Sequence, residues 1–157
     1  MSDLPRNIAV SQAVIGCEAA ARAMQAAVEH AAQLGVRINV GVVDGGGNLA
    51  AFLRMPGAFI QSIELAIDKA YTAAGFGFPT GDWMRLVGHS EGMKLGFSSR
   101  PRLIVFGGGL PIRVAGQLIG GIGVSGASES QDEACALAAL AAIGADPIDL
   151  SDRQVQQ

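Results

Sequence analysis

Three glycine-rich runs constrain this chain more than any other feature of its sequence. They lie at residues 41–47, 107–109 and 120–126. Because glycine has no side chain, it accepts a positive φ in turns and lets another surface come close to the backbone. Three such runs in one small chain predict a pocket walled largely by backbone, with few side chains available for chemistry.

The length and composition predict one domain that associates with copies of itself. The chain has 157 residues, which a single domain usually explains. We expect that domain to span residues 1–157, with a core at about 11–144 and a polar tail at 145–157. Half of the residues are hydrophobic and only 16% are charged. Surface buried between subunits would explain the low charge, so we predict a homo-oligomer, either a dimer or a larger assembly.

Charge and hydropathy argue against several classes of partner. The net charge of −3 and the lack of a basic cluster disfavour nucleic-acid binding. No run approaches the ~18 apolar residues of a membrane span, and residues 1–12 lack the apolar core of a signal peptide. We therefore expect a soluble cytoplasmic protein. Cys17 and Cys135 match no metal or redox spacing and are expected to be reduced and buried.

The periodicity predicts an α+β fold with an antiparallel sheet. Strands are predicted at residues 38–43, 48–54, 102–106, 111–115 and 117–124. Because short turns join consecutive strands, they are expected to pair antiparallel. Helices are predicted from Ser11 to Leu34, over 58–74, and from a Ser128 or Ser130 cap to Ile143, with a short one over 81–87. The segment 75–100 is otherwise expected to be an irregular lid.

Each of the two long helices has an apolar face and an opposite face of small residues. In the first helix the predicted apolar face runs through Val14, Cys17, Ala21, Met24, Val28 and Ala31. The opposite face carries alanines and His30, which would lie between subunits or simply be exposed. In the second helix the isoleucines are predicted to face the core. Lys69 shares the other face with Ser62, Ala66 and Ala73, and would face a ligand, another chain or solvent.

Several motifs have both a structural and a functional interpretation. Residues 121–126 match G-x-G-x-x-G, but no strand follows to carry Asp146 to a dinucleotide. Close backbone packing, or an anion at a helix N-terminus, explains this run better. Asp44 is either a turn residue or an acid, base or metal ligand. Arg54 either clamps a carboxylate or pairs with Glu64 or Asp68.

Other reaction chemistries lack their usual residues. Ser62 and Ser125 have no G-x-S-x-G context, which disfavours a covalent hydrolase. The sequence holds two histidines, His30 and His89, and no His/Cys cluster, which disfavours a conventional zinc site.

Together these motifs resemble the GlcG/HbpS family, also called the haem-degrading-domain or DUF336 family, which includes the C-terminal domain of PduO-type adenosyltransferases. The resemblance covers about residues 11–143. Its carriers are residues 41–49 (GVVDGGGNL), 52–58 (FLRMPGA), 62–63, 66–73 (AIDKAYTA), 107–112 (GGGLPI), 120–126 (GGIGVSG) and 132–135 (DEAC). The resemblance implies a profilin-like, five-stranded antiparallel sheet flanked by helices. It also implies homo-oligomers, up to octamers, and haem binding in some members. Asn48 and Pro56 stand where the family often has histidine and aspartate.

Two functions from different classes follow from these residues and the resemblance. The first is a small-ligand-binding protein that holds haem or a small carboxylate near subunit contacts. Its backbone and polar ligands would be Asn48, Gly107, Gly108, Gly109, Gly123 and Ser125. Arg54 and Lys69 would hold an acidic group, and His30 would be the axial ligand of haem iron. The second is a cofactor-free isomerase, hydratase or lyase acting on a small carboxylated intermediate. There Asp44 would be the general base, and Arg54 and Lys69 would stabilise an enolate. An accessory protein with a vestigial site is a third possibility.

Overall fold

The computed structural model describes residue 5, residues 7–151 and residue 153. Within these residues the helices and strands follow one another in a simple order. They are α1 (Cys17–Leu34), β1 (Asn39–Asp44), β2 (Leu49–Arg54), α2 (Ser62–Phe76), α3 (Trp83–Leu86), α4 (Glu91–Ser98), β3 (Gly109–Val114), β4 (Gln117–Ser125) and α5 (Glu129–Ile143). A 3-10 turn at Thr80–Asp82 precedes α3.

Four antiparallel strands form one sheet in the order β2-β1-β4-β3. The hairpins β1–β2 and β3–β4 lie side by side because β1 also pairs with β4. The predicted α+β class and antiparallel pairing are confirmed, but the described sheet has four strands rather than five.

The missing strand is the predicted segment 102–106. Its backbone is held by Thr72 instead of by a neighbouring strand: the Thr72 hydroxyl donates to the Arg102 carbonyl and accepts the Ile104 N–H. Arg102 also has φ +66°, far from the β region. The β-branched and aromatic residues of this segment predicted a strand. Hydrogen bonds to the Thr72 hydroxyl hold its backbone in place of strand pairing.

One face of the sheet carries the aliphatic core. Side chains on this face alternate with those on the other, as strand geometry requires. The strand residues on this face are Val40, Val42, Leu110, Ile112, Ile122 and Val124. Alanines of α1 and α5 pack on them and are buried too. Because alanine is small, the two helices lie close to each other and to the sheet.

The opposite face carries several glycines beside Val43, and α2 lies directly on it. A Cβ at Gly121 would overlap the Ala70 carbonyl oxygen, and one at Gly123 would overlap that of Ala66. The glycine run 120–126 therefore seats a helix, as its packing interpretation predicted.

The predicted helix faces are only partly right. The small-residue face of α2, including Lys69, is buried, whereas Ile60 is 69% exposed and Tyr71 39% exposed. In α1 the alanine face with Ala23 and Ala26 is buried. From the predicted apolar face, Ala31 is buried as well, and Met24 and Val28 pack against the core. Val14 and Cys17, predicted to be buried, are exposed. In α2, close contact with the β4 glycines selects the small-residue face. Helix α1 packs instead on the aliphatic face of the sheet.

The remaining differences are at the ends of elements. Helix α1 begins at Cys17 rather than at Ser11, because the Ile15 N–H bonds the Ile119 carbonyl and keeps the preceding chain extended. Helix α4 lies inside the predicted lid. The Ser128 capping box and the end of α5 at Gly144 are as predicted.

The predicted polar tail is partly ordered. Ile148 and Leu150 pack against the core, and the Asp146 carboxylate accepts N–H bonds from Ala115 and Gly116. Residues 152 and 154–157 of that tail lie outside the described residues.

Candidate functional site

Lys69 is the most deeply buried charge among the described residues and bonds both a strand and a helix. Its side chain is 1% exposed. The ammonium donates to the Val124 carbonyl at 2.8 Å and to Asp132 Oδ2 at 3.2 Å. It also lies 5.0 Å from the centre of the Phe106 ring. All of these contacts are internal, so Lys69 does not extend into an open cavity.

Burial dominates the protonation equilibria of this pair. It lowers the pKa of Lys69, and the nearby Asp132 charge opposes that shift. It raises the pKa of Asp132, although the Lys69 charge and the Ala127 N–H oppose that shift. We infer an ion pair whose two charges depend on each other.

The predicted glycine ligands surround this pair rather than an empty pocket. Gly108, at φ +129°, accepts the Val124 N–H, and a Cβ there would lie 2.6 Å from Lys69 Nζ. Gly109 donates to the Thr80 hydroxyl, and Gly107 donates to Glu129 Oε1. Gly123 lies under α2. The structure thus packs Gly108, Gly109 and Gly123 directly against Lys69, whereas Gly107 packs against Glu129 and Glu133.

Asp44 and Asn48 form the β1–β2 turn. Asp44 Oδ1 accepts the N–H groups of Gly46 and Asn48, and both of its carboxylate oxygens contact the Asn48 amide. The Asn48 and Gly46 bonds lower the pKa of Asp44. This is the turn role considered for Asp44. The same hydrogen bonds favour the ionised carboxylate and engage both of its oxygens.

Arg54 lies at the opposite end of the hairpin from Asp44. It pairs with Asn39 in the register, five residues from Asp44, or about 17 Å at roughly 3.3 Å per residue. Its side chain is exposed, donates to the Ala58 carbonyl at 2.8 Å and pairs with neither Glu64 nor Asp68; Asp68 instead pairs with Arg102. The isomerase, hydratase or lyase hypothesis requires Asp44, Arg54 and Lys69 to converge on one cavity. The structure places them apart.

Near Arg54, a cleft of about 450 Å³ lies where three strand ends meet. Its walls are residues 35–37, 57–59 and 126–127. Beside it Asn39 is fully buried and donates to the Phe59 carbonyl, and its Oδ1 has no partner among the described residues. Ser125, the buried end of β4, pairs with Asn39. Sequence reasoning missed Arg37 and Asn39, because only the strand register brings them next to Arg54.

The histidines lie on separate elements. His30 is half-buried near the end of α1, and His89 is exposed between α3 and α4. The described residues contain no group of three or more His, Cys, Asp or Glu side chains placed to hold a metal ion. Nor is any helix in this part of the chain both long and apolar enough to cross a membrane.

The fold and these sites define a small α+β protein with a helix seated on a glycine face. The family described as "Haem degrading protein HbpS-like" matches residues 15–141. The chain belongs to this family, which confirms the resemblance to GlcG and HbpS.

Known proteins of two kinds are similar to this chain. A 15.0 kDa protein encoded between dhaT and dhaS in Citrobacter freundii is 38% identical, over 78% of this chain and 87% of that protein. The corrinoid adenosyltransferase PduO of Salmonella typhimurium is 40% identical over 76% of this chain, which matches only 36% of PduO.

Solved structures share the fold. The ORFY protein of Klebsiella pneumoniae, a DUF336 protein, has a TM-score of 0.82 and 31% identity, over 90% of this chain and 98% of that one. A structure of PduOC in complex with haem has a TM-score of 0.77 and 34% identity, over 87% of this chain and 99% of that one.

Proposed function

We propose that this chain is a ligand-binding member of the HbpS-like family and that haem is its ligand. The observation that carries the proposal is the similarity to PduOC in its haem complex, at 34% identity over 87% of this chain. A small carboxylate is the alternative ligand, which Arg54 would hold. The cytoplasmic location expected from the sequence stays a prediction.

The chemistry of His30 fits an axial ligand. Imidazole is a common protein ligand of haem iron, and half-burial leaves the ring within reach of a ligand at the surface. Leu34, one turn further along α1, is 41% exposed and offers apolar surface for a porphyrin edge. Bound haem would supply an iron centre, and the chain's part would be to hold and orient it.

A second copy of the chain would complete such a site. The described surface carries many exposed large apolar side chains, among them Phe59, Ile60 and Leu95. Surfaces of this kind favour protein contacts. We therefore keep the homo-oligomer as part of the proposal, with haem held beside a contact between subunits.

Hemin titration tests this function. We expect the purified protein to bind hemin stoichiometrically and to give a shifted Soret band. His30→Ala should remove that shifted band, whereas His89→Ala is the matched control and should keep it. A protein that shifts no Soret band would contradict haem binding. A spectrum unchanged in His30→Ala would exclude His30 as the ligand.

A further inference from the structure

We propose that the cleft lined by Arg37, beside which Arg54 bonds the Ala58 carbonyl, binds a small organic carboxylate. The inference rests on the ligand-binding function proposed above, although not on haem being the ligand. It moves the predicted carboxylate clamp from Arg54 and Lys69 to Arg54 and Arg37, because Lys69 is enclosed by its own partners.

Two guanidinium groups meet at the same short loop. The Arg37 side chain lies against Gly57, so closely that a Cβ at that position would overlap Nη1. Arg54 Nη2 donates to the next residue, Ala58. Gly57 has φ +87°, a left-handed backbone conformation that favours glycine. The absence of a side chain at Gly57 also leaves room for the Arg37 guanidinium.

The strand register places the two arginines on one side of the sheet. Arg54 pairs with Asn39, and the Met55 N–H bond to the Ile38 carbonyl continues that register by one residue. Arg37 is therefore a diagonal neighbour of Arg54, and diagonal neighbours stand about 7–8 Å apart, within reach of long side chains. A carboxylate between two guanidinium groups can accept hydrogen bonds from both.

No acidic side chain balances these two charges within the described residues. The walls of the cleft contain neither aspartate nor glutamate. The ion pairs among the described residues include neither Arg37 nor Arg54. Asp132, the acid that bonds the Ala127 N–H, is already paired with Lys69. Two neighbouring cations without a counter-charge repel each other, and a bound anion would relieve that repulsion.

The cleft suits an organic acid better than an inorganic anion. Phe59 lines it and is 65% exposed, so an apolar ring stands beside the cationic pair. Asn39 fixes this part of the loop through its bond to the Phe59 carbonyl. A ligand with one carboxylate and a short carbon chain would place its charge on the arginines and its chain on Phe59.

Calorimetric titration with sodium acetate, lactate, butyrate and succinate tests the site. We expect saturable binding of at least one acid, and a Kd about tenfold or more weaker in Arg37→Gln and in Arg54→Gln. Arg37 donates no hydrogen bond that holds the described fold, so Arg37→Gln is the variant expected to fold normally. Arg22→Gln makes the same charge change on α1, far from the loop, and should leave the Kd unchanged.

Three results would overturn the proposal. They are no saturable binding of any acid, wild-type affinity in Arg37→Gln, and equal binding of sulfate or phosphate at matched ionic strength, which would define a general anion patch. Hemin titration of Arg37→Gln separates this inference from haem binding. Retained hemin binding with lost carboxylate binding supports a distinct carboxylate site. Loss of hemin binding as well would assign the arginines to haem propionates and overturn the free-acid site.

Discussion

At the scale of single residues, the Lys69–Asp132 pair joins parts of the chain that are far apart in sequence. Lys69 lies on α2, Asp132 lies on α5, and the Val124 carbonyl lies on β4 between them. Removing two charges from water costs several kcal/mol for each ion, and the attraction between them only roughly offsets that cost. We therefore expect the pair to matter most when one member is lost and the other is left buried without it.

Replacing Lys69 tests this dependence. Lys69→Met keeps an unbranched side chain that is one atom shorter and leaves the Asp132 carboxylate without its cation, so we expect a loss of about 3–5 kcal/mol in the free energy of unfolding. Urea unfolding measures it. Arg22→Met is the matched control: it breaks the exposed Arg22–Glu29 pair and should cost about 1 kcal/mol or less. Similar losses in both variants would show that the buried pair has no special role.

The pH dependence of the same variant distinguishes an unpaired carboxyl from a packing defect. Burial raises the pKa of Asp132, and losing the Lys69 charge should raise it further. A carboxyl with a higher pKa in the folded state binds more protons there, so stability falls as pH rises above about 4. Lys69→Met should therefore lose stability with rising pH more steeply than the wild type. The double variant with Asp132→Asn should lack this additional slope; a slope that persists would have another origin.

At the scale of elements, the contact between α2 and β4 decides how the sheet is covered. Gly121 and Gly123 face Ala66 and Ala70 so closely that backbone touches backbone. This proximity places the small residues of α2 against β4, while Ile67 meets Gly41 of β1. It also explains how α2 packs closely on the sheet although its inner face has small side chains.

A methyl group at this contact should be costly. Gly123→Ala would put its Cβ against the backbone of Ala66 and Ala70, which cannot move independently of the helix. We expect a loss of about 3 kcal/mol or more, or failure to fold. Gly75→Ala is the control on the same helix, since no atom of the described residues lies within 4 Å of its Cβ apart from its own helix backbone and chain neighbours, and it should stabilise by about 0.5–1 kcal/mol. Thermal unfolding of both variants decides; equal Tm values would contradict the packing account.

Local signals in the sequence predicted the elements that depend on local interactions. The Asp44 turn, the β1–β2 hairpin, the Ser128 cap and the glycine end of α5 all use neighbouring residues. The segment 102–106 and the inner face of α2 depend instead on contacts distant in sequence. No local pattern shows that Thr72 bonds the backbone of segment 102–106. Nor does one show that the β4 glycines contact the inner face of α2.

The candidate site follows the same division. Sequence reasoning selected Arg54, Lys69 and the glycines, and the structure groups Lys69 with the glycines. The burial of Lys69 beside Asp132 could not be predicted, because Asp132 lies 63 residues away in the sequence. Arg37 carries no motif at all, and only the pairing of β1 with β2 brings it beside Arg54.

At the scale of the whole molecule, the exposed apolar residues call for an explanation that one copy does not provide. Phe59 and Ile60 precede α2, and Leu95, which is 69% exposed, lies on α4 with Met93. With only 16% of residues charged, the surface has few groups to keep such side chains apart from those of another copy. Self-association would bury them and would bring a second surface to the ligand sites.

Light scattering after size exclusion tests that association. We expect a mass that is a multiple of 16.0 kDa. In Leu95→Lys we expect a shift toward the monomer, because a buried leucine contributes about 1.5–3 kcal/mol and an unpaired ammonium in its place adds a desolvation cost. Gln25→Lys adds the same charge at an exposed polar position of α1 and should keep the wild-type mass. A wild-type monomer at tens of micromolar would contradict self-association, and an unchanged mass in Leu95→Lys would exclude α4 from the contact.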